Sequence, residues 1–253
     1  MDRRPVGVFD SGTGGISLLR NLRRLLPGEV FIYYGDTKNA PYGIKTEAEI
    51  LELAQNAVSF LLGSNVKAIV IACNTATSAA AKVLRSTLDI PIIGIEPALK
   101  PAELDWSGGE IAVLATPATL RQQKFLDLMT LYGSHAYPLP CPGLMEFAER
   151  GVTEGEELDC FLNKLFKPLA GKTLSGAVLG CTHYPFLAKA ISKALPGVKL
   201  YDGNEGTARQ LKRVLERNGL LSDAVSGEVR LYTSGDPEAV LPIMEKLLAY
   251  PII

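Results

Sequence analysis

The sequence lacks the features that would mark it for a membrane, a nucleic acid or an oxidising compartment. Met-Asp-Arg-Arg-Pro runs straight into Val6–Phe9, so neither a signal peptide nor an extra N-terminal regulatory segment is expected. The longest uncharged stretch, Leu128 to Met145, is interrupted by Pro138, Pro140 and Pro142 and makes a poor spanning helix. Neither sign of charge dominates: 26 Lys and Arg stand against 27 Asp and Glu. No block of like charge supplies the field of a nucleic-acid or membrane-surface protein, so small ligands are the better expectation. Cysteine is sparse, at 73, 141, 160 and 181, with no C-x-x-C pair, which excludes a disulfide scaffold. Only two histidines are present, too few beside single cysteines for a metal site. The expectation is a soluble cytoplasmic protein with no nucleic-acid or membrane partner. Its length suits one large domain or two smaller ones.

What is present is an alternation of short β-branched segments with helical ones, the pattern of βα units and a largely parallel sheet. Strands are expected at Val6–Phe9, Val30–Tyr34, Ala68–Ala72, Ile92–Ile95, Ile111–Ala115, Ala177–Leu179, Val198–Tyr201 and Val229–Tyr232. The clearest helix runs from Thr46 to Leu62. Thr46 and Glu49 make a capping box, Ile50, Leu53, Ala54, Ala57, Val58 and Leu61 one apolar face, and Gly63 the stop.

Lys67-Ala-Ile-Val-Ile-Ala-Cys-Asn-Thr and Ser175-Gly-Ala-Val-Leu-Gly-Cys-Thr-His repeat one pattern, with their cysteines 108 residues apart. That distance suits two related α/β halves: residues 1–97 with 209–253, and residues 98–208. The tail after Asp202 is expected to give a helix, a strand and a final helix that return to the first half. In parallel sheets ligands bind beyond the carboxyl ends of the strands. Cys73 and Cys181 fall there, each just before an expected helix whose dipole would lower a thiol pKa from about 8.5. Each is either a reactive thiolate or a small buried residue; Cys141 and Cys160 carry only the second meaning.

Polar residues follow both thiols. Asn74, Thr75, Thr182 and His183 could each bond a ligand, with N-capping the alternative for Asn74 and Thr182, and His183 could also act as a proton partner for Cys181. Phe9-Asp-Ser-Gly-Thr-Gly-Gly15 is a glycine-rich strand-to-helix turn able to receive an anion, though without the Lys of a P-loop. Its Asp10 suits an ammonium group, a proton relay or an N-cap, and Ser11 stands beside it. Pro41-Tyr42-Gly43 could aim backbone amides at a carboxylate, with Asp36 a second acid nearby. Thr116 and Thr119 occupy the equivalent loop of the second half as ligands or caps. Glu149, with Glu146 and Arg150, reads otherwise as a solvated face.

Together Asp10-Ser-Gly-x-Gly-Gly15, Pro41-Tyr-Gly43, Ala72-Cys-Asn-Thr-Ala76 and Gly180-Cys-Thr-His-Tyr-Pro185 resemble the bacterial glutamate racemase family, within the cofactor-independent amino-acid racemases. The resemblance implies two pseudo-symmetric α/β domains with mainly parallel sheets and an active site in the cleft between them. It also implies interconversion of L- and D-glutamate without a cofactor, supply of D-glutamate for peptidoglycan, and often a homodimer. Cys73 would then take the Cα proton from D-glutamate and Cys181 from L-glutamate. Asp10 and His183 would assist them, and Asp36 and Glu149 would be further acids. Substrate contacts carried over are Asp10, Ser11, Pro41, Tyr42, Gly43, Asn74, Thr75, Thr116, Thr119, Thr182 and His183. The match loosens at Gln122, Gln123 and Phe125, where members commonly have a Ser and a Tyr, and again around Cys141-Pro142. Alternatives are an aspartate or other amino-acid racemase, or a redox or ligand-binding protein whose dithiol needs Cα atoms within about 7 Å.

Overall fold

The computed structural model describes residues 1–250; Pro251 to Ile253, the end of the expected 209–253 segment, lie outside the described residues. Among the described residues nine strands form two sheets. The first half contributes β1 (Val6–Asp10), β2 (Phe31–Gly35), β3 (Ala68–Ile71) and β4 (Ile92–Gly94). The second contributes β5 (Glu110–Ala115), β6 (Ala136–Pro140), β7 (Leu174–Leu179) and β8 (Leu200–Asp202), and the chain then returns to add β9 (Val229–Thr233) to the first sheet. The orders are β4-β3-β1-β2-β9 and β6-β5-β7-β8. All pairs are parallel. Read from the β8 side, the second sheet repeats the first, with β5 to β8 standing for β1 to β4.

The register makes the repeat residue-specific. Phe9 pairs with Ile71 and Leu114 with Leu179, so Cys73 and Cys181, each two residues further, are equivalent. Asp10 is paired with Gly35, and Ala115 with Pro140. Asp10 therefore corresponds to Ala115, Ser11 to Thr116, and Asp36 to Cys141.

The strand at Ala136–Pro140 was not expected, because Pro138 and Pro140 argue against a strand interior. It is an edge strand, and its Cys141 N–H donates to Ala115 O at 2.9 Å. In the alternating geometry, residues 137, 139 and 141 face β5 while both prolines turn their missing N–H outward. The helix Glu47–Leu62 forms with the expected Thr46–Glu49 capping box and buries Ile50, Ala54, Ala57, Val58 and Leu61. Gly63, however, remains right-handed at φ −58°, and Asn65 takes the positive φ of 54° that turns the chain.

The helix Asn204–Arg217 spans the expected boundary at 208/209 and packs Ala208, Leu211 and Leu215 into the first core. Phe186, from the second half, enters that same core, with the Arg20 guanidinium 5.7 Å from its ring. At the amino ends of the first sheet, the buried Lys67 Nζ meets Glu29 Oε2 at 2.6 Å and donates to Asp2 O at 2.6 Å. Glu29 Oε1 accepts the Ser222 N–H at 2.8 Å, so this one ion pair ties four chain segments beneath the sheet. Among the described residues no helix is long and apolar enough to cross a membrane.

Candidate active site

The carboxyl ends of β1, β3, β5 and β7 face one narrow cavity between the halves. Cys73 and Cys181 line it, only 6% and 8% exposed, and both are free thiols. Cys73 caps the helix Asn74–Thr87. Its sulfur accepts the Ala76 N–H at 3.4 Å and its thiol donates to Ser11 Oγ at 3.5 Å. The helix start was expected to lower this thiol's pKa, but burial, then the Asp10 charge, pushes it up to about 12 against those two contacts. A helix N-terminus carries about half a charge, too little to offset desolvation together with a carboxylate.

Cys181 departs from expectation differently. No α-helix begins behind it; a turn leads into the short 3-10 segment Tyr184–Leu187. The place of a helix start is taken by His183, whose Nδ1 lies 3.4 Å from the Cys181 sulfur.

Asp10 is fully buried and folds back on its own turn, accepting the Gly12 N–H at 2.8 Å and the Thr182 hydroxyl at 3.0 Å. It is not an N-cap, since the next helix starts at Ile16 behind Gly15. Burial raises the pKa of its carboxyl against the His183 charge and these contacts. The glycine-rich turn does receive an anion, and that anion is the protein's own. Glu149 Oε1 accepts the Thr13 N–H at 2.7 Å and sits 2.5 Å from His183 Nε2, while the Gly14 amide approaches the same nitrogen at 3.1 Å. A Cβ at Gly12 would fall on the Glu149 carboxylate, and one at Gly14 on the His183 ring. Glu149 is thus a clasp between the halves and no solvated surface charge. Ser17 Oγ adds a second tie, donating to Thr182 O at 2.8 Å.

Besides the thiols, Ser11, Tyr42, Gly43, Asn74, Thr75, Thr116, Thr182 and His183 line the cavity. Asp10, Asp36, Glu149, Pro41 and Thr119 stand behind that lining. Asp36 accepts the Tyr42 hydroxyl at 2.6 Å and the Ser234 hydroxyl at 2.6 Å, so it orients Tyr42. Thr116 caps the helix Pro117–Arg121 through the Thr119 N–H and also lines the cavity. Asn74 is the first helical residue, its cap position taken by Cys73, and its buried Oδ1 has no hydrogen-bond partner among the described residues. Cys141 is buried with its thiol on Leu139 O at 3.3 Å, and Cys160 is exposed. His135 is stacked on Trp106 and paired with Glu103.

Met145 lines the cavity and was missed; it stands one helical turn before Glu149 on Met145–Glu149, a spacing that could have marked both as one face.

Residues 6–211 match the family model for Asp/Glu/hydantoin racemases. The chain belongs to that family. It is 52% identical to a glutamate racemase of Clostridium novyi over 252 residues, covering 97% of each chain. Among solved structures, a Thermus thermophilus glutamate racemase in complex with beta-chloro-D-alanine superposes with a TM-score of 0.85 at 39% identity, covering 100% of this chain and 96% of that one. A Francisella tularensis glutamate racemase in complex with D-glutamate gives 0.85 at 32%, with the same coverage. The two parallel-sheet α/β halves are those of this racemase family, as the resemblance implied.

In this family member the Glu149–His183 pair has a definite pH signature. Burial alone would raise the Glu149 carboxyl and lower the His183 imidazole. The hydrogen bond and charge of His183, with the Thr13 amide, instead hold Glu149 below its usual value. The Cys181 charge and hydrogen bond, then Glu149, hold His183 well above its usual value. The pair's contribution to stability is complete between the ordinary values of 4.5 and 6.5. It is lost as pH falls through the depressed Glu149 value or rises through the elevated His183 value. In Glu149→Gln the imidazolium loses its carboxylate, and the alkaline limb of the kcat/KM profile should move to lower pH by about one unit. An unmoved limb would remove Glu149 from the support of His183.

Proposed function

We propose that the protein is a cofactor-independent racemase that interconverts L- and D-glutamate by two-base chemistry. The observation that carries this reading is the placement of two thiols at equivalent strand ends on one buried cavity. Starting with Cys181 as thiolate and Cys73 as thiol, Cys181 takes the Cα proton of L-glutamate. The electron pair of the broken C–H bond remains on Cα and its carboxylate, and Cys73 delivers its proton to the opposite face to give D-glutamate. The thiols have then exchanged states and are ready for the reverse direction.

His183 presents its Nδ1 to Cys181, and Asp10, with its raised affinity for protons, serves Cys73. Around the reacting carbon, hydroxyls of Ser11, Thr75 and Thr116 are donors for carboxylate charge, which grows as the proton leaves; low exposure strengthens each of them. The unpartnered Asn74 Oδ1 suits the substrate ammonium. Cytoplasmic supply of D-glutamate to peptidoglycan belongs to the same proposal and rests on likeness to glutamate racemases.

Circular dichroism of L-glutamate, L-aspartate and other L-amino acids incubated with the enzyme tests it. Decay of the glutamate signal alone, with product carrying solvent deuterium at Cα in deuterium oxide, is the expected result. Preferential decay of aspartate would assign the other substrate, and inversion without deuterium would overturn the proton-transfer route.

A further inference from the structure

Thr75 belongs to the first half, yet residues of the second half hold it. Its hydroxyl lies 3.0 Å from that of Thr119 and 3.3 Å from that of Thr116, and the last two are 2.9 Å apart. Three hydroxyls in a closed ring use one proton each, so none is left over for a ligand. A carboxylate entering the cavity takes the Thr75 proton only by opening the ring, which releases the Thr75 side chain from one of its neighbours.

The backbone of Thr75 is held separately. Gln122 lies between the helices Pro117–Arg121 and Gln123–Tyr132 in extended conformation, and its Nε2 donates across the cleft to Thr75 O at 3.2 Å. Gln122 is 9% exposed, and its Oε1 is buried without a partner among the described residues. A buried amide that leaves its oxygen unsatisfied is a costly way to fill space, and methionine would fill it without that penalty. Its one evident use is the grip on Thr75, two residues from Cys73 in the first turn of the same helix.

We propose that Gln122 is a positioning residue, pinning the Thr75 carbonyl across the cleft so that the Thr75 hydroxyl stays set for a substrate carboxylate when the hydroxyl ring opens. This rests on Thr75 being a substrate contact. Because that contact exists in the bound ground state as well as in the transition state, its loosening raises KM and spares kcat.

Steady-state racemisation and thermal melting of Gln122→Met, Thr75→Val and the double variant test it. Gln122→Met should raise KM by about threefold to tenfold, the worth of one hydrogen bond, with kcat within about twofold. Its melting temperature should be unchanged or higher, which a merely structural hydrogen bond would not give. The double variant should have the KM of Thr75→Val, since Gln122 acts through Thr75. Gln122→Glu keeps the length but sets an acceptor against the carbonyl, and should raise KM at least as far; it serves equally if the methionine variant does not fold. A wild-type KM in the Gln122 variants beside a raised one in Thr75→Val, or additive effects in the double variant, would overturn the role of Gln122. An unchanged KM in Thr75→Val would overturn the substrate contact itself.

Discussion

Cys73→Ser and Cys181→Ser should each lower racemisation by about 10³- to 10⁴-fold, because each removes one of two proton-transfer groups and an alcohol is far less acidic than a thiol. The two variants should fail differently. With Cys73 replaced, Cys181 still faces the Cα proton of L-glutamate and can remove it and return a solvent-derived one to the same face. L-glutamate therefore exchanges deuterium without inversion, while D-glutamate does not. Cys181→Ser reverses the pattern. Proton NMR in deuterium oxide with chiral chromatography reads both quantities. Full racemisation by either variant would sink the two-base scheme, and exchange of the opposite enantiomer would swap the facial assignment of the thiols.

The largest stability effect is expected far from the cleft, at Lys67. Its ammonium and the Glu29 carboxylate are 0% and 2% exposed, so Lys67→Ala leaves a buried carboxylate without its counter-charge and should cost about 3–5 kcal/mol in urea unfolding. The double variant Lys67→Met, Glu29→Leu removes both charges together and should recover most of that loss, because desolvating an ion pair cancels much of its attraction. The remaining deficit would reflect the Ser222 amide and Asp2 carbonyl, which lose their partners. Lys67 precedes β3 at the opposite end from Cys73, so kcat of the folded fraction should be unchanged. Equal destabilisation by the single and double variants would show that the loss comes from the Asp2 and Ser222 hydrogen bonds and not from an unpaired buried carboxylate.

Much of this arrangement was legible in the sequence because parallel α/β folding writes it twice. Apolar β-branched segments locate eight strands, and the repeated strand-Cys pattern places both thiols at carboxyl ends. The ninth strand escaped local reading because proline propensity is a statement about N–H groups, and at a sheet edge half of those point to solvent. The repeat itself held the missing signal, since β2 requires a counterpart after β5. Glu149 is named by the resemblance as a further acid, but its role as a clasp escaped local reading for another reason. Its neighbours Glu146 and Arg150 give a charged stretch, and nothing local tells that a turn at residues 12–14, more than 130 positions away, will receive its carboxylate. The pKa of Cys73 was misjudged because helix ends are visible in sequence whereas burial beside Asp10 is a property of the assembled cleft.

The register that equates Cys73 with Cys181 also sets Asp10 against Ala115, so the site is symmetric in its thiols and asymmetric in what stands beside them. The two turnover numbers and the two Michaelis constants therefore have no reason to be equal. Their ratios do. Enantiomers have the same free energy in water, which requires kcat/KM to be identical in both directions for this chain and for every variant of it. Substitutions at Asp10 or His183 can slow the approach to a one-to-one mixture and can change which enantiomer saturates the enzyme first, but none can make it accumulate one hand over the other. Any net flow toward D-glutamate must come from a reaction that consumes it.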